Sequence, residues 1–179
     1  MTETVTIRAA TPADAERCSQ IYRRYVQQTP ITFETDPPDS TEMARRMAKA
    51  AQRHAWLVLE SEGQVMGYAY GGEYKTRPAY RWASEVSVYL EMGRRRTGAG
   101  RALYQALIRL LAARGYRRQV AGITLPNEAS VGLHRAMGFT EVGVYRKVGW
   151  KNGAWHDVAW MQLDLTPDEN PTHRPTEVI

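Results

Sequence analysis

Arginines and glycines cluster in the segment 95–101, directly before a run of apolar residues with helical spacing over 103–111. The N-terminus of a helix exposes unpaired backbone N–H groups and the positive end of a dipole, so it binds anions readily. Gly98 and Gly100 have no Cβ and let a phosphate come close to the backbone, and arginines add bidentate donors. The spacing therefore indicates a phosphate-binding turn between a strand and a helix, with an ordinary glycine-containing helix start as the alternative.

Glu85 is the residue whose type and setting best suit proton transfer. It lies in the alternating segment 84–90, among small and apolar side chains. Burial disfavours the charged form of a carboxyl group and raises its pKa, which makes it a better base near neutral pH. The alternative is a glutamate at a strand edge, paired at the surface with Arg77 or Arg81.

The composition is that of one soluble globular domain. The chain has 179 residues, of which 43% are hydrophobic and 24% are charged, and this length matches a single domain. No apolar run is long enough to span a bilayer and no leader pattern occurs, so neither a membrane span nor a signal peptide is expected. The single cysteine, Cys18, cannot form an internal disulfide, which indicates a reducing cytoplasm. Its helical position favours a small core residue over a nucleophile.

The net charge of +5 has one clear focus, the arginine cluster within 94–101. Such an excess suits nucleic acid, a membrane surface or an anionic small molecule. A nucleic-acid module would present a broader basic face with interleaved aromatics. We therefore assign the cluster to a phosphorylated small molecule, and expect neither nucleic acid nor a membrane as a partner. The histidines His54, His156 and His173 have no metal-ligand spacing with one another or with Cys18, so no metal is predicted.

Apolar periods and turn residues place these groups on interleaved strands and helices. Ser40 is the predicted cap of the second helix, and Gly115 ends the helix that follows the glycine turn. A single domain of residues 1–165 is predicted, followed by a poorly ordered tail over 166–179, which has prolines and no apolar period. The predicted strands are 4–8, 56–60, 65–70, 84–90, 119–125, 140–148 and 157–165, and the predicted helices are 11–25, 40–53, 98–114 and 129–137.

Four segments resemble the signatures of a known family. They are the Arg95-x-x-Gly98-x-Gly100 turn, Asn127–Ser130 with His134–Phe139, Ser84–Tyr89 with the loop before it, and Gly149–Val158. Together they resemble the GCN5-related N-acetyltransferases, in particular the phosphinothricin acetyltransferase branch, over most of the chain. The resemblance implies an α/β fold, the acyl-CoA N-acyltransferase fold, with a central mixed sheet splayed in its middle and helices on both faces. Acetyl-CoA would enter the split. The family pattern also implies a homodimer, with Trp150, Trp155 and Asp157 in the final hairpin.

The resemblance implies an enzyme that transfers acetyl directly to an amine, without a covalent enzyme intermediate. Glu85 would be the general base. His134, where many family members carry tyrosine, would donate a proton to the leaving thiolate or orient other groups, and a structural hydrogen bond to the backbone is its alternative. Asn127 or Ser130 could instead cap the short helix. The implied cofactor contacts are Val88, Tyr89, Leu90, Arg95, Arg96, Thr97, Gly98, Ala99, Gly100, Arg101, Asn127 and Ser130.

The implied acceptor is a small amino acid or analogue, of the phosphinothricin or methionine sulfoximine and sulfone type. A guanidinium binds a carboxylate or phosphinate at two points, and phenols orient it. Phe33 lies in a predicted loop and is assigned to the acceptor, and the alternative is that its side chain fills the core from that loop. Acetylation of a protein or an aminoglycoside is an alternative function that Lys75 and Arg77 disfavour. A non-catalytic acyl-CoA or nucleic-acid binding module would not need Glu85 and His134. The predicted acceptor contacts are Phe33, Lys75, Arg77, Tyr80 and Ser87.

Overall fold

Strands and helices interleave along the chain, as the sequence pattern predicts. The computed structural model describes residues 5–93, 98–167, 170 and 172–179. Short 3₁₀ turns at Pro12–Asp14 and Pro78–Tyr80 precede the first helix and the fourth strand. The strands are β1 (Val5–Ala9), β2 (Ala55–Ser61), β3 (Gln64–Glu73), β4 (Ala83–Leu90), β5 (Arg118–Thr124), β6 (Thr140–Lys151) and β7 (Ala154–Asp164), and the helices are α1 (Ala15–Gln28), α2 (Ser40–Arg53), α3 (Ala99–Ala113) and α4 (Glu128–Ala136).

These strands form one mixed sheet in the order β1-β2-β3-β4-β5-β7-β6. β4 and β5 are parallel neighbours connected through α3, and the other neighbouring pairs are antiparallel. The parallel pairing joins Ala83–Glu85 to Arg118–Val120 and stops there. The sheet therefore opens between β4 and β5 toward the carboxyl ends of both strands. The predicted mixed sheet, splayed in its middle and covered by helices on both faces, is confirmed.

On one face of the sheet, α3 packs through the leucine stripe predicted from its sequence. Leu103, Leu107 and Leu111 are 0% exposed and lie in one apolar cluster with Val86 of β4 and Ile123 of β5. Full burial of a leucine side chain stabilises a fold by about 1.5–3 kcal/mol. The stripe therefore fixes α3 against β2, β3 and β4, on the β4 side of the opening.

On the other face, α1 and α2 pack on β2 and β3. Cys18 of α1 and Met43 of α2 lie in a second cluster with Trp56 and Tyr68. Cys18 is 0% exposed, and burial raises the pKa of its thiol to about 12. Its burial confirms the prediction of a small core residue, and a thiol whose pKa is raised by burial is a poor nucleophile.

Several element boundaries differ from the prediction, and the start of α2 and the length of the last two strands have clear physical causes. Asp39, and not Ser40, is the N-cap of α2, because its side chain accepts the Glu42 N–H at 2.8 Å. The last two strands are longer than predicted and continue up to the turn Asn152-Gly153. Both turn residues have positive φ, 52° and 75°, which is the geometry of a tight two-residue hairpin whose strands pair up to the turn.

The segment 172–179 lies without helix or strand structure against the end of the sheet. Trp82 Nε1 donates to the Thr176 carbonyl at 2.8 Å, and Arg81 pairs with Glu177 at 3.5 Å. The sequence did not predict these contacts, because a run of prolines and polar residues gives no signal for a partner 94 positions away. The poor order predicted for this tail stays a prediction.

Candidate functional site

Glu85 occupies the last paired position before the sheet opens. It lies opposite Gly72 in β3 and Val120 in β5, and it is partly buried. Burial raises the pKa of its carboxyl group, because desolvation disfavours the charged form. The surface ion pair that the sequence left open is not formed. Arg81 pairs with Glu177, and among the salt bridges of the described residues none includes Glu85.

Ser87 and Tyr70 share the face of the sheet on which Glu85 lies. Side chains alternate along a strand, and Tyr89, two positions beyond Ser87, packs in the α1–α2 cluster. Tyr70 is directly opposite Ser87 in the β3–β4 ladder. Burial raises the pKa of the Tyr70 phenol, a hydrogen bond with Ser87 opposes the rise, and the charge of Glu85 adds to it. These three side chains therefore form one polar group on the α1–α2 face.

The backbone of β4 faces the opening at every second residue. The Glu91 N–H donates to the Met66 carbonyl at 2.8 Å, which sets the alternation of the antiparallel ladder with β3. By this alternation, Tyr89 turns its backbone N–H toward β3, whereas Val88 and Leu90 turn theirs toward the opening. Of the three predicted backbone contacts, Val88 and Leu90 therefore lie in the right orientation and Tyr89 does not.

The N-terminus of α3 lies close to the end of β4. A Cβ at Gly100 would lie 2.9 Å from the Leu90 side chain, so glycine allows this approach. Gly98 has a φ of 75°, which glycine adopts at little cost, and no side-chain hydrogen bond from a described residue caps this helix end. Of the predicted turn, Gly98, Ala99, Gly100 and Arg101 are described, whereas Arg95, Arg96 and Thr97 lie outside the described residues.

His134 is buried on the α3 face, and both of its ring nitrogens have partners. It is 4% exposed. Nδ1 lies 2.7 Å from the Ser130 carbonyl, which can only accept, so Nδ1 carries the hydrogen. Nε2 lies 2.9 Å from the Tyr104 hydroxyl and therefore accepts the hydrogen of that group. Burial lowers the pKa of the imidazole, so the ring is neutral at neutral pH.

Tyr104 is a residue of the site that sequence reasoning missed. It is 0% exposed, and burial raises the pKa of its phenol, with a further rise from the charge of Glu85. The charge of Glu85 thus acts on the Tyr104 phenol, although the two side chains lie on opposite faces of the sheet. In the sequence Tyr104 is one more position on the buried side of α3, and its hydrogen bond to His134, 30 positions away, leaves no signal in a single sequence.

Asn127 begins α4 as its N-cap. Its Oδ1 accepts the Ser130 N–H at 3.1 Å, so the capping role that the sequence left open is observed, and the cap does not use the amide nitrogen. Asn127 also lines a cavity of about 700 Å³ that Thr124, the last residue of β5, shares with residues 28–31. The predicted cofactor contact therefore borders an accessible space at the open end of β5.

The loop between β3 and β4 gathers the predicted cations and a phenol. The Lys75 ammonium lies 5.6 Å from the Tyr80 ring centroid, within the range of a cation–π contact. Lys75, Arg77 and Tyr80 line a cavity of about 790 Å³ together with Tyr70. Tyr70 also belongs to the polar group around Glu85, so this cavity extends toward the predicted base, although Glu85 is not one of its lining residues.

Phe33 lies in the connection between α1 and α2, with 39% of its surface exposed. A Cβ at Gly149 would lie 2.2 to 2.7 Å from its ring atoms, so Phe33 rests directly on β6 where glycine leaves room. The Phe33 ring therefore lies at the protein surface against β6, and it does not fill the core.

Among the residues that the structure describes, no helix combines the length and apolar character that crossing a membrane requires. No group of three or more His, Cys, Asp or Glu side chains in the same residues is arranged to hold a metal ion.

Comparison with known proteins identifies the family. A family model described as an acetyltransferase (GNAT) domain matches residues 7–160. Phosphinothricin N-acetyltransferase of Streptomyces viridochromogenes is 41% identical over 161 residues, which cover 90% of this chain and 88% of the relative. L-Methionine sulfoximine/L-methionine sulfone acetyltransferase of Pseudomonas aeruginosa strain PAO1 is 38% identical over 166 residues, which cover 90% and 95%. A crystal structure of a phosphinothricin acetyltransferase from Sinorhizobium meliloti, in complex with acetyl-CoA, matches with a TM-score of 0.90 at 37% identity and covers 99% of this chain and 95% of that one.

The chain belongs to the GNAT family of acetyltransferases. It is an acetyl-CoA-dependent N-acetyltransferase, and the family and enzyme class predicted from the sequence are confirmed. Within the family, it is similar to the phosphinothricin and methionine sulfoximine/sulfone acetyltransferases.

We expect Tyr104→Phe to lower the free energy of unfolding by about 1–3 kcal/mol, because His134 Nε2 is left buried without a donor. Loss of that donor also removes a bond that favours the neutral ring, so the His134 pKa should rise relative to wild type. Chemical denaturation and NMR titration of the histidine ring measure the two effects. Tyr80→Phe is the control, since Tyr80 is 37% exposed and lies outside the final hairpin. Equal stabilities of the two variants would contradict the assigned hydrogen bond.

Proposed function

We propose that this enzyme acetylates the α-amino group of small amino-acid-like compounds that carry a carboxylate, of the phosphinothricin, methionine sulfoximine and methionine sulfone type. The activities for which its relatives are named support this acceptor class, and the cationic loop between β3 and β4 suits its charge. The observation that carries the proposal is the position of Glu85, a carboxyl group of raised pKa at the last paired residue before the sheet opens.

The described residues fit the co-substrate. Acetyl-CoA supplies an acetyl thioester, which is activated toward amines. The N-terminus of α3, with Gly98 in its left-handed conformation, offers backbone donors to phosphates. The Val88 and Leu90 N–H groups face the opening, and we assign them to the cofactor arm and to the carbonyl oxygen on which negative charge develops. Asn127 can donate from its side-chain amide nitrogen to the cofactor arm, and Ser130 lies beside it. The roles of Arg95, Arg96 and Thr97 stay predictions.

Glu85 is the proposed general base. Its carboxylate takes a proton from the ammonium group of the acceptor, directly or through one water, so that the free amine can attack. Partial burial raises its pKa and so its strength as a base. Tyr70 and Ser87, on the same face of the sheet, supply hydroxyl groups that can orient the acceptor or that water.

The acceptor side is assigned to the loops that flank this face. Lys75 and Arg77 would bind the carboxylate and the phosphinate of the acceptor, because cations are the natural partners of such anions, and would donate hydrogen bonds to the oxygens of a sulfone. Tyr80 would orient the acceptor and Phe33 would cover its apolar part. A cationic peptide or an aminoglycoside would meet like charge at Lys75 and Arg77, so these acceptors are disfavoured.

We assign His134 an orienting role rather than direct proton donation. Its Nδ1 hydrogen is held by the Ser130 carbonyl and its Nε2 accepts from Tyr104, so the ring has no free hydrogen to give. The arrangement instead holds the Tyr104 hydroxyl in a fixed direction at the side of the opening opposite Glu85.

We also propose that the enzyme is a cytoplasmic homodimer that associates through the β6–β7 hairpin. This hairpin exposes apolar side chains that are between 53% and 64% accessible, and such a patch marks an interaction surface. Asp157 organises it by accepting the Lys147 N–H at 2.7 Å. The exposed side chains are Val142, Tyr145, Val148, Trp150 and Trp155.

A thiol-release assay with purified enzyme and acetyl-CoA tests the acceptor class. We expect phosphinothricin, methionine sulfoximine or methionine sulfone to release thiol at least about tenfold faster than a histone-tail peptide or an aminoglycoside. Arg77→Met should raise the acceptor KM about tenfold or more, because a charge-assisted hydrogen bond is lost. Arg23→Met, on the exposed side of α1, is the matched control. Release with the peptide or aminoglycoside alone would overturn this acceptor class.

The protonation of Glu85 should set the pH dependence of the enzyme. The acid limb of kcat/KM should lie above the ~4.3 of an ordinary glutamate, because burial raises the Glu85 pKa and activity is lost as falling pH protonates the base. Glu85→Gln should lower turnover about a hundredfold or more and remove that limb. Calorimetry should find acetyl-CoA binding intact. Near-normal turnover in the variant would exclude Glu85 as the base.

Light scattering coupled to size-exclusion chromatography tests the dimer. Wild-type enzyme should elute at twice the mass of one chain, and the double variant Trp150→Ser/Trp155→Ser should elute as a monomer, since it removes the two largest exposed apolar surfaces of the hairpin. Exchange of another exposed apolar residue far from the hairpin, Val5→Ser, should leave the mass unchanged. A monomeric wild type at micromolar concentration would contradict the proposal.

A further inference from the structure

Lys151 is a buried cation to which the proposed chemistry gives no role. It is the last residue of β6 and only 6% exposed. Its Nζ donates to the Thr32 carbonyl at 2.7 Å, and its own carbonyl accepts from His156 Nε2 at 2.8 Å. Burial lowers the pKa of the ammonium, and the charge of Glu34 opposes the change. A buried ion of this kind adds little net stability in most proteins, so its placement needs another explanation.

The partner of Lys151 is the centre of a short connected segment, 31–34, between α1 and α2. The Thr32 hydroxyl lies 2.6 Å from the Tyr22 hydroxyl of α1 and accepts the Glu34 N–H at 3.2 Å. Glu34 in turn pairs with Arg46 of α2 at 2.6 Å. Lys151 therefore connects the final hairpin to segment 31–34, which is also bonded to α1 through Tyr22 and to α2 through Arg46.

Phe33 is the side chain that this segment presents. It follows Thr32 directly, and its ring rests on Gly149, which stands two positions before Lys151 on the same strand. Because alternate residues share one face of a strand, Gly149 supplies the surface under the ring while Lys151 anchors the backbone beside it. The end of β6 thus contacts the Phe33 ring through Gly149 and holds the adjacent Thr32 backbone through Lys151.

The same segment borders the opening of the sheet. The Thr124 hydroxyl at the end of β5 donates to the Ile31 carbonyl at 3.4 Å, and α1 and α2 pack on the face that carries Glu85. Phe33 is therefore held on the acceptor side of the sheet and not on the α3 side.

We propose that Lys151 is a positioning residue for the acceptor, whose ammonium holds the Thr32 backbone so that Phe33 covers the bound amino-acid-like compound. The inference rests on the proposed function in one respect, the assignment of Phe33 to the acceptor. Lys151 touches neither the acceptor nor acetyl-CoA, and acts through Phe33 alone.

Steady-state kinetics of Lys151→Met, Phe33→Leu and the double variant test the inference. Each single variant should raise the acceptor KM about tenfold, with the acetyl-CoA KM unchanged and kcat within about threefold of wild type. The double variant should be no worse than the poorer single variant, because residues that act as one unit are not additive. Lys147→Met, an exposed lysine of the same strand, is the control and should match wild type.

Hydrogen exchange supplies a readout that does not depend on turnover. The peptide covering 31–34 should exchange faster in Lys151→Met than in wild type, and in Phe33→Leu it should not. Unchanged exchange, an unchanged acceptor KM in Phe33→Leu, or full additivity in the double variant would each overturn the role of Lys151.

The kinetics use whichever panel compound the wild type acetylates fastest. Failure of the proposed acceptor class appears in the wild type itself, as preference for a peptide or aminoglycoside, and leaves the comparison between variants intact. Should Lys151→Met fail to fold, the KM ratio of Phe33→Leu and that of Gly149→Ala, in which the added Cβ displaces the ring, still decide whether this segment governs the acceptor.

Discussion

The short parallel pairing of β4 with β5 is the constraint on which the rest of the structure depends. Backbone N–H and C=O groups must find partners, and three residues of each strand find them in the other strand. Past that point each strand keeps its outer neighbour, β4 along β3 as far as Leu90 and β5 along β7 as far as Thr124. The gap is therefore a fixed part of the sheet, built from ordinary ladders, and every functional group is arranged around it.

The gap also divides the site between two environments. Glu85 stands with Tyr70 and Ser87 on the face covered by α1 and α2, whereas His134 and Tyr104 are hydrogen-bonded to each other on the face covered by α3. Burial acts in opposite directions on the two sides, since it raises the pKa of the carboxyl group and lowers that of the imidazole. Burial thus favours proton uptake by Glu85 on the acceptor face. On the other face it favours a neutral His134, which stays hydrogen-bonded to Tyr104.

Much of the fold follows from local signals, and much of the site does not. The leucine stripe of α3 and the Asn152-Gly153 turn have periodic or steric causes that a sequence displays directly. The N-cap of α2 was assigned one residue too late because Asp39 and Ser40 are both good caps, and only the geometry of the Glu42 N–H distinguishes them. Glu85 could be selected only when the family resemblance was added to its apolar setting, because a glutamate in a strand can equally well form a surface ion pair. Tyr104 and Lys151 could not, since each matters through one partner far away in the chain, Tyr104 through His134 and Lys151 through Thr32.

The gap between β4 and β5 exists only in the folded protein, so binding of the acetyl donor there is linked to folding. The unfolded chain has no such gap, so donor binding stabilises the native state by about 2.7 kcal/mol when the donor is at a hundredfold excess over its Kd. The population of unfolded molecules, which proteases attack, then falls about a hundredfold. The resistance of this enzyme to proteolysis is therefore expected to rise with the concentration of acetyl-CoA.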